Sequence, residues 1–160
     1  MKDADQGSAG ELIGEGLRIA IVRARFNDAI TSRLAQACLA ELERLEVDAA
    51  DIRHVSVPGA LEVPLALKAL ADSGEWDALI ALGCVIRGDT AHFDFVAGEA
   101  ARGIADAARD TGKPVIFGVL TTENVEQAVE RASPARMDKG GEAMEAALEM
   151  ALVLADIDSP

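Results

Sequence analysis

Two rhythms alternate along the chain. Apolar runs of strand length stand at LRIAIVRA (17–24), DIRHVSV (51–57), DALIALGCVI (77–86) and KPVIFGVLT (113–121). The second of these alternates Ile52, His54 and Ser56 against Arg53, Val55 and Val57, with His54 read as a packing residue. The third is apolar throughout, as a strand in the middle of a parallel sheet must be when both of its faces are covered. Between the runs the period lengthens to that of a helix. In 28–47, Ile30, Leu34, Cys38, Leu42 and Leu45 recur about one turn apart. LEVPLALKALA (61–71) carries Pro64 in its first turn, where a missing N–H is tolerated. Residues 91–110 place Val96, Ala100, Ile104 and Ala108 on one stripe. Ala97, Ala101 and Ala105 give the same segment a second face, small enough for close packing against another helix. NVEQAVERA (124–132) is a short helix, SPARMDKG (133–140) a linker and GEAMEAALEMALVLAD (141–156) a closing helix.

Strand and helix in strict alternation predict an α/β three-layer sandwich, with a four-stranded, mainly parallel sheet in flavodoxin-like order flanked by helices. Residues 1–15 read as a flexible polar arm that is mobile or lies on a neighbour, and 16–160 as a single domain. In such a sheet a ligand sits at the carboxyl ends of the strands. The less common residues fall at those ends: Arg25-Phe26-Asn27, then Pro58 to Glu62, then Arg87 to His92, then Thr121-Thr122.

Composition narrows the partners. Half of the 160 residues are apolar, which is enough to build a core. The net charge of −13 argues against a phosphate backbone, so no nucleic-acid partner is expected. No apolar run reaches the roughly 18 residues that a membrane helix needs, and the polar start MKDADQGSAGE lacks a signal segment. A cytoplasmic protein without a membrane partner is expected. Cys38 and Cys84 lie in apolar surroundings and read as buried free thiols. With no Cys-x-x-Cys and two distant histidines, no metal site is expected.

The strand-end residues support chemistry of a definite kind. Gly88-Asp89-Thr90 either cradles an anion with converging N–H groups or simply caps the helix that follows. Arg131, ending its helix, suits a bidentate phosphate contact or, more simply, complements the helix dipole. His92, just past the glycine turn, has the side chain that gives and takes protons near neutral pH. Phe26 suits stacking on a planar heterocycle. Glu62 either caps the second helix or accepts hydrogen bonds from a polyol. Phe117, inside a strand, reads as core.

Together the segments IVRARFND, VSVPGALEVP, GCVIRGDTAHFDF, FGVLTTENVEQAVERA and DKGGEAMEAALEMA resemble the lumazine synthase family over about residues 17–155. The resemblance implies condensation of 5-amino-6-(D-ribitylamino)uracil with 3,4-dihydroxy-2-butanone 4-phosphate, the penultimate step of riboflavin biosynthesis. The product is 6,7-dimethyl-8-ribityllumazine, phosphate and water are released, and no cofactor is used. It implies that Phe26 stacks on the uracil ring and that Ala60, Leu61 and Glu62 bind the ribityl chain. Backbone groups of Cys84, Val85 and Ile86 would read the pyrimidine edge. Asp89 and Thr90 would hold the phosphate together with Arg131, and His92 would transfer protons. Phe117, with Lys139, would be lent to the pocket by a neighbouring subunit. A homo-oligomer, most simply a pentamer with active sites at subunit interfaces, follows from the same resemblance.

The sequence departs from the family pattern at two places. Leu61 stands where many members carry Phe or Trp. The SPARMDKG linker, stiffened by Pro134, resembles members that stop at pentamers or paired pentamers rather than closing a shell. Two other classes compete: a binder of lumazine or flavin without turnover, and a signalling receiver. The receiver needs clustered acids after the first strand, where Arg25-Phe26-Asn27-Asp28 stands instead. The binder has little use for His92.

Overall fold

The computed structural model describes residues 4–160. Its centre is a four-stranded, wholly parallel sheet in the order β2-β1-β3-β4. The two inner strands, β1 (Ile19–Ala24) and β3 (Ala78–Ile86), are the most apolar of the four strands, and each is covered on both faces. β2 (Ile52–Val57) and β4 (Val115–Thr122) are the edges. Edge placement accounts for the polar residues of β2. His54 pairs in register with Ile21 but is exposed, so it is not the packing residue its alternation predicts.

Alternate residues of the strands feed two cores. Ile19, Ile21, Ile80 and Leu82 face α1 (Asp28–Arg44), α4 (Val125–Ala132) and α5 (Lys139–Ile157), meeting Leu34, Leu42, Met144 and Leu148. Ala20, Val22, Leu79 and Ala81 face α2 (Val63–Asp72) and α3 (His92–Thr111), meeting Leu67 and Ile104. Each fully buried Leu or Ile contributes about 1.5–3 kcal/mol, so the sandwich needs no covalent or metal staple. On α3 the inward stripe is Ala100, Ile104 and Ala107, not Ala108. Gly103 permits α2 and α3 to approach closely, since a Cβ there would lie 2.8 Å from the Pro64 ring. The second small-residue face of α3 stays open: Ala97 and Ala101 are half-buried and Ala105 is exposed.

Helix ends differ from the periodic pattern where capping decides. Asp138, in the left-handed region at φ 44°, accepts from the Gly141 N–H at 3.3 Å. α5 therefore begins at Lys139, which the pattern alone leaves in a linker. Residues 4–18 form neither helix nor strand, yet Leu12 packs on the larger core and the Gly14 N–H donates to the Leu45 carbonyl at 2.7 Å. Residues 1–3 of the expected arm lie outside the described residues. No helix among the described residues is long and apolar enough to cross a membrane.

Candidate active site

The strand order creates the site. From β1 the chain moves outward to β2, then crosses back to the other side of β1 to lay down β3. The switch point therefore lies between β1 and β3, where an open sheet leaves a crevice past its carboxyl ends. The register shows the crevice opening. β1 pairs with β3 only as far as Arg23 opposite Leu82, whereas β3 continues to pair with β4 through Ile86. The β1-facing edge of Gly83–Ile86 is thus unpaired by the sheet, and a cavity of 380 Å³ stands beside it.

Three connections supply its walls. After β1 come Phe26 and Asn27; after β2 come Gly59, Ala60, Leu61 and Glu62; along and after β3 come Cys84, Val85, Ile86, Gly88, Thr90 and His92. Phe26 lines the cavity and is 72% exposed. The Glu62 side chain makes no capping hydrogen bond to α2, which removes the simpler of its two roles. Its carboxylate folds back over Gly59, where a Cβ would come within 3.0 Å of Oε2. Leu61 is exposed at the cavity edge.

Asn27 is the residue that sequence reasoning left without a role. Its Nδ2 donates to the Cys84 carbonyl at 2.9 Å, bridging the gap between the diverging strands. Its backbone sits at φ 58°, ψ 49°, a left-handed conformation that asparagine tolerates better than most residues. The available signal was an Asn directly before a helix-period segment. Cys84 itself is buried, and burial pushes its thiol up to about 11, so its side chain is no nucleophile at neutral pH. Its carbonyl serves as the partner of Asn27.

The helix start after β3 is not a conventional cap. α3 begins at His92, Ala91 occupies the cap position without a side-chain bond, and the Thr90 hydroxyl accepts from the His92 N–H at 3.4 Å. Gly88 lines the cavity, and a Cβ on it would meet no neighbour. The His92 side chain is exposed and engages no protein partner among the described residues. Asp89 is exposed and does not line the cavity.

Phe117 and Arg131 are elsewhere. They line a second cavity of 610 Å³ beside edge strand β4, together with Lys139 and Met137. Phe117 is 45% exposed, so the core reading of that residue fails, because β4 has no strand beyond it. Arg131 Nη1 donates to the Gln127 carbonyl at 3.1 Å, and Lys139 pairs with Glu142. One chain on its own does not bring Arg131 and Thr90 into a common cavity. Thr122, also at a strand end, is buried and donates to the Asn124 carbonyl at 2.9 Å, a structural role. No group of three metal-ligating side chains occurs among the described residues.

Comparison with known proteins gives the family. The family 6,7-dimethyl-8-ribityllumazine synthase matches residues 16–155. Proteins of that name from Paracidovorax citrulli and Leptothrix cholodnii are 53% and 52% identical over 157 residues, covering 98% of this chain and 99% of each relative. The chain belongs to the 6,7-dimethyl-8-ribityllumazine synthase family. The match to that family includes β1 to β4, nearly all of α5 and, apart from Gln6, every residue lining the two cavities, so neither cavity is peripheral to the region that defines a lumazine synthase.

Proposed function

We propose that this chain catalyses the formation of 6,7-dimethyl-8-ribityllumazine, with the 380 Å³ cavity as one half of the active site. The carrying observation is the convergence of an exposed aromatic, an uncommitted carboxylate and an unpaired imidazole on the switch-point crevice. Phe26 stacks on the uracil ring, and Ala60, Leu61 and Glu62 hold the ribityl chain, the Glu62 carboxylate accepting from hydroxyls. Backbone groups of Val85 and Ile86 on the open strand edge read the pyrimidine. Gly88–Thr90 receives the phosphate, with Asp89 contributing through its backbone.

Bond by bond, the substrate amine attacks the butanone carbonyl, and the carbinolamine loses water to form an imine. Phosphate leaves, and the second amine closes the ring with loss of water. His92 gives and takes the protons of these steps, an assistance worth about 10²–10⁴-fold. Holding two intrinsically reactive partners together supplies much of the remainder.

Arg131, Phe117 and Lys139 act on the cavity of a neighbouring copy, and we read the working form as a homopentamer with sites at its interfaces. Three features support that assembly: the separation of the two cavities, the open alanine face of α3 and the exposed Phe117. In this reading residues 16–160 form one catalytic domain. Two buried free thiols fit a reducing cytoplasmic compartment.

The test mixes the purified protein with both substrates and follows lumazine absorbance against the uncatalysed background. Saturable acceleration that weakens in Arg131→Ala is the expected result. A rate equal to background alongside tight lumazine binding would establish a binder instead.

A further inference from the structure

One guanidinium spans the two cavity-forming loops of a chain. Arg87 follows β3 directly, and its Nη1 and Nη2 donate to the two carboxylate oxygens of Asp94 at 3.3 and 3.1 Å. Its Nε donates to Glu123 Oε2 at 2.8 Å. The guanidinium carbon lies 4.2 Å from the centre of the Phe93 ring, and the Arg87 backbone N–H donates to the Thr122 carbonyl at 2.9 Å. Asp94 and Phe93 belong to the first turn of α3, next to His92, and Phe93 lines the first cavity. Glu123 leads into α4. Its N–H donates to Gln127 Oε1 at 2.9 Å, and the Gln127 carbonyl accepts from Arg131.

We propose that Arg87 is a positioning residue that fixes both parts of the phosphate site, the Gly88–Thr90 loop of one cavity and Arg131 of the other. The inference rests on the functional reading above. Arg87 lines neither cavity, and its charge is shared between two carboxylates, so it is not itself the phosphate ligand. What it provides is geometry. A planar fork grips Asp94 with one edge, reaches Glu123 with Nε and lays its face on Phe93. Lysine keeps the charge but cannot make those three contacts together. Because one arm of the brace ends at α3 and the other at α4, each subunit ties the loop of its own cavity to the cation it lends to the next.

Arg87, Asp94 and Glu123 are solvent-exposed, with side chains 37%, 59% and 61% accessible. Surface pairs of this kind contribute little to global stability, so catalytic and structural effects are separable. The experiment compares parent, Arg87→Lys and Arg87→Gln proteins. It measures KM for each substrate, inhibition by inorganic phosphate, and melting temperature.

Both variants should raise KM for the butanone phosphate and weaken phosphate inhibition by about tenfold or more, as misplaced binding groups do. KM for the ribitylaminouracil should stay within about twofold. The melting temperature should move by less than about 3 °C. Parent-like kinetics in Arg87→Lys would overturn the inference, because charge rather than geometry would then suffice. Equal losses for both substrates, or losses that track melting temperature, would overturn it as a purely structural effect. A parent without activity would overturn the functional reading and this inference with it, whereas an active parent with unaffected variants overturns the inference alone.

Discussion

Asn27 offers a sharp test because two ordinary effects there oppose a common expectation. Inside a helix, replacing a residue by glycine usually costs more than replacing it by alanine. At Asn27 the order should reverse. The side chain makes one partly buried hydrogen bond, Nδ2 to the Cys84 carbonyl, worth about 1 kcal/mol. The backbone, at φ 58° and ψ 49°, costs a residue with an ordinary Cβ roughly 1–2 kcal/mol. Asn27→Ala meets both penalties, about 2–3 kcal/mol in all. Asn27→Gly loses the bond but not the conformation, and adds about 0.5–1 kcal/mol of chain entropy, for about 1.5–2 kcal/mol.

The difference, about 0.5–1 kcal/mol, displaces a urea midpoint by a few tenths molar. Trp76, the only tryptophan and a buried one, reports the transition by fluorescence. All variants must be compared at one protein concentration, since the proposed assembly would stabilise by mass action. An Asn27→Ala protein more stable than Asn27→Gly would refute the conformational half of the reasoning. Asn27→Asp supplies the other half. It tolerates the same backbone but turns the donor into an acceptor facing a carbonyl, so it should weaken lumazine binding without the alanine penalty. Unchanged affinity in that variant would mean that the bridge to Cys84 does not hold the crevice in shape.

Two further perturbations follow from the same structure. His92→Ala should slow turnover by about 10²-fold while leaving it above background, because proximity survives the loss of the proton carrier; a variant at the uncatalysed rate would refute that division. Although His54 is exposed on the edge strand, the part of its ring that the chain desolvates, with Arg23 nearby, holds the imidazole below its ordinary value of 6.5, so the folded chain favours the neutral ring. Its contribution is present in full above pH 6.5 and is lost as pH falls through the folded value. Urea midpoints of His54→Gln should therefore fall less steeply between about pH 7 and 5 than those of the parent, and parallel slopes would refute the assignment.

Periodicity made the fold readable because each layer repeats its own signal. Apolar runs such as ALIALGCVI belong to strands covered on both faces, and the stripe Ile30, Leu34, Cys38, Leu42 belongs to a helix covered on one. What periodicity lacks is information about neighbours. The alternation of β2 is that of any half-covered strand, and only the strand order makes it an edge and leaves His54 in solvent. Phe117 illustrates the same gap: a phenylalanine amid Val, Ile and Leu reads as core, yet β4 is an edge strand and the residue stays 45% exposed. The start of α5 was missed for a local reason. Asp138 captures the Gly141 N–H and draws Lys139 into the helix, an effect of one side chain that no stripe records.

The site was legible in its parts and not in its division. Each strand end announced its residues, since glycine turns, a lone histidine and an isolated aromatic stand out against an alanine-rich background. Nothing in their spacing distinguishes residues that meet within a chain from residues that meet across two. The geometry separates them: the cavity holding His92, Glu62 and Phe26 has no arginine in its wall, and the cavity holding Arg131 has no histidine. A phosphate leaving group needs a cation, and imine formation needs a proton carrier, so neither cavity alone is equipped for the reaction. The division therefore argues for assembly more strongly than any exposed patch does. In the proposed homo-oligomer, a second copy that sets its β4 edge against the first cavity would unite the imidazole, the phosphate loop and the guanidinium in one volume. Under the proposed function, oligomerisation would then be a condition of catalysis rather than an addition to it.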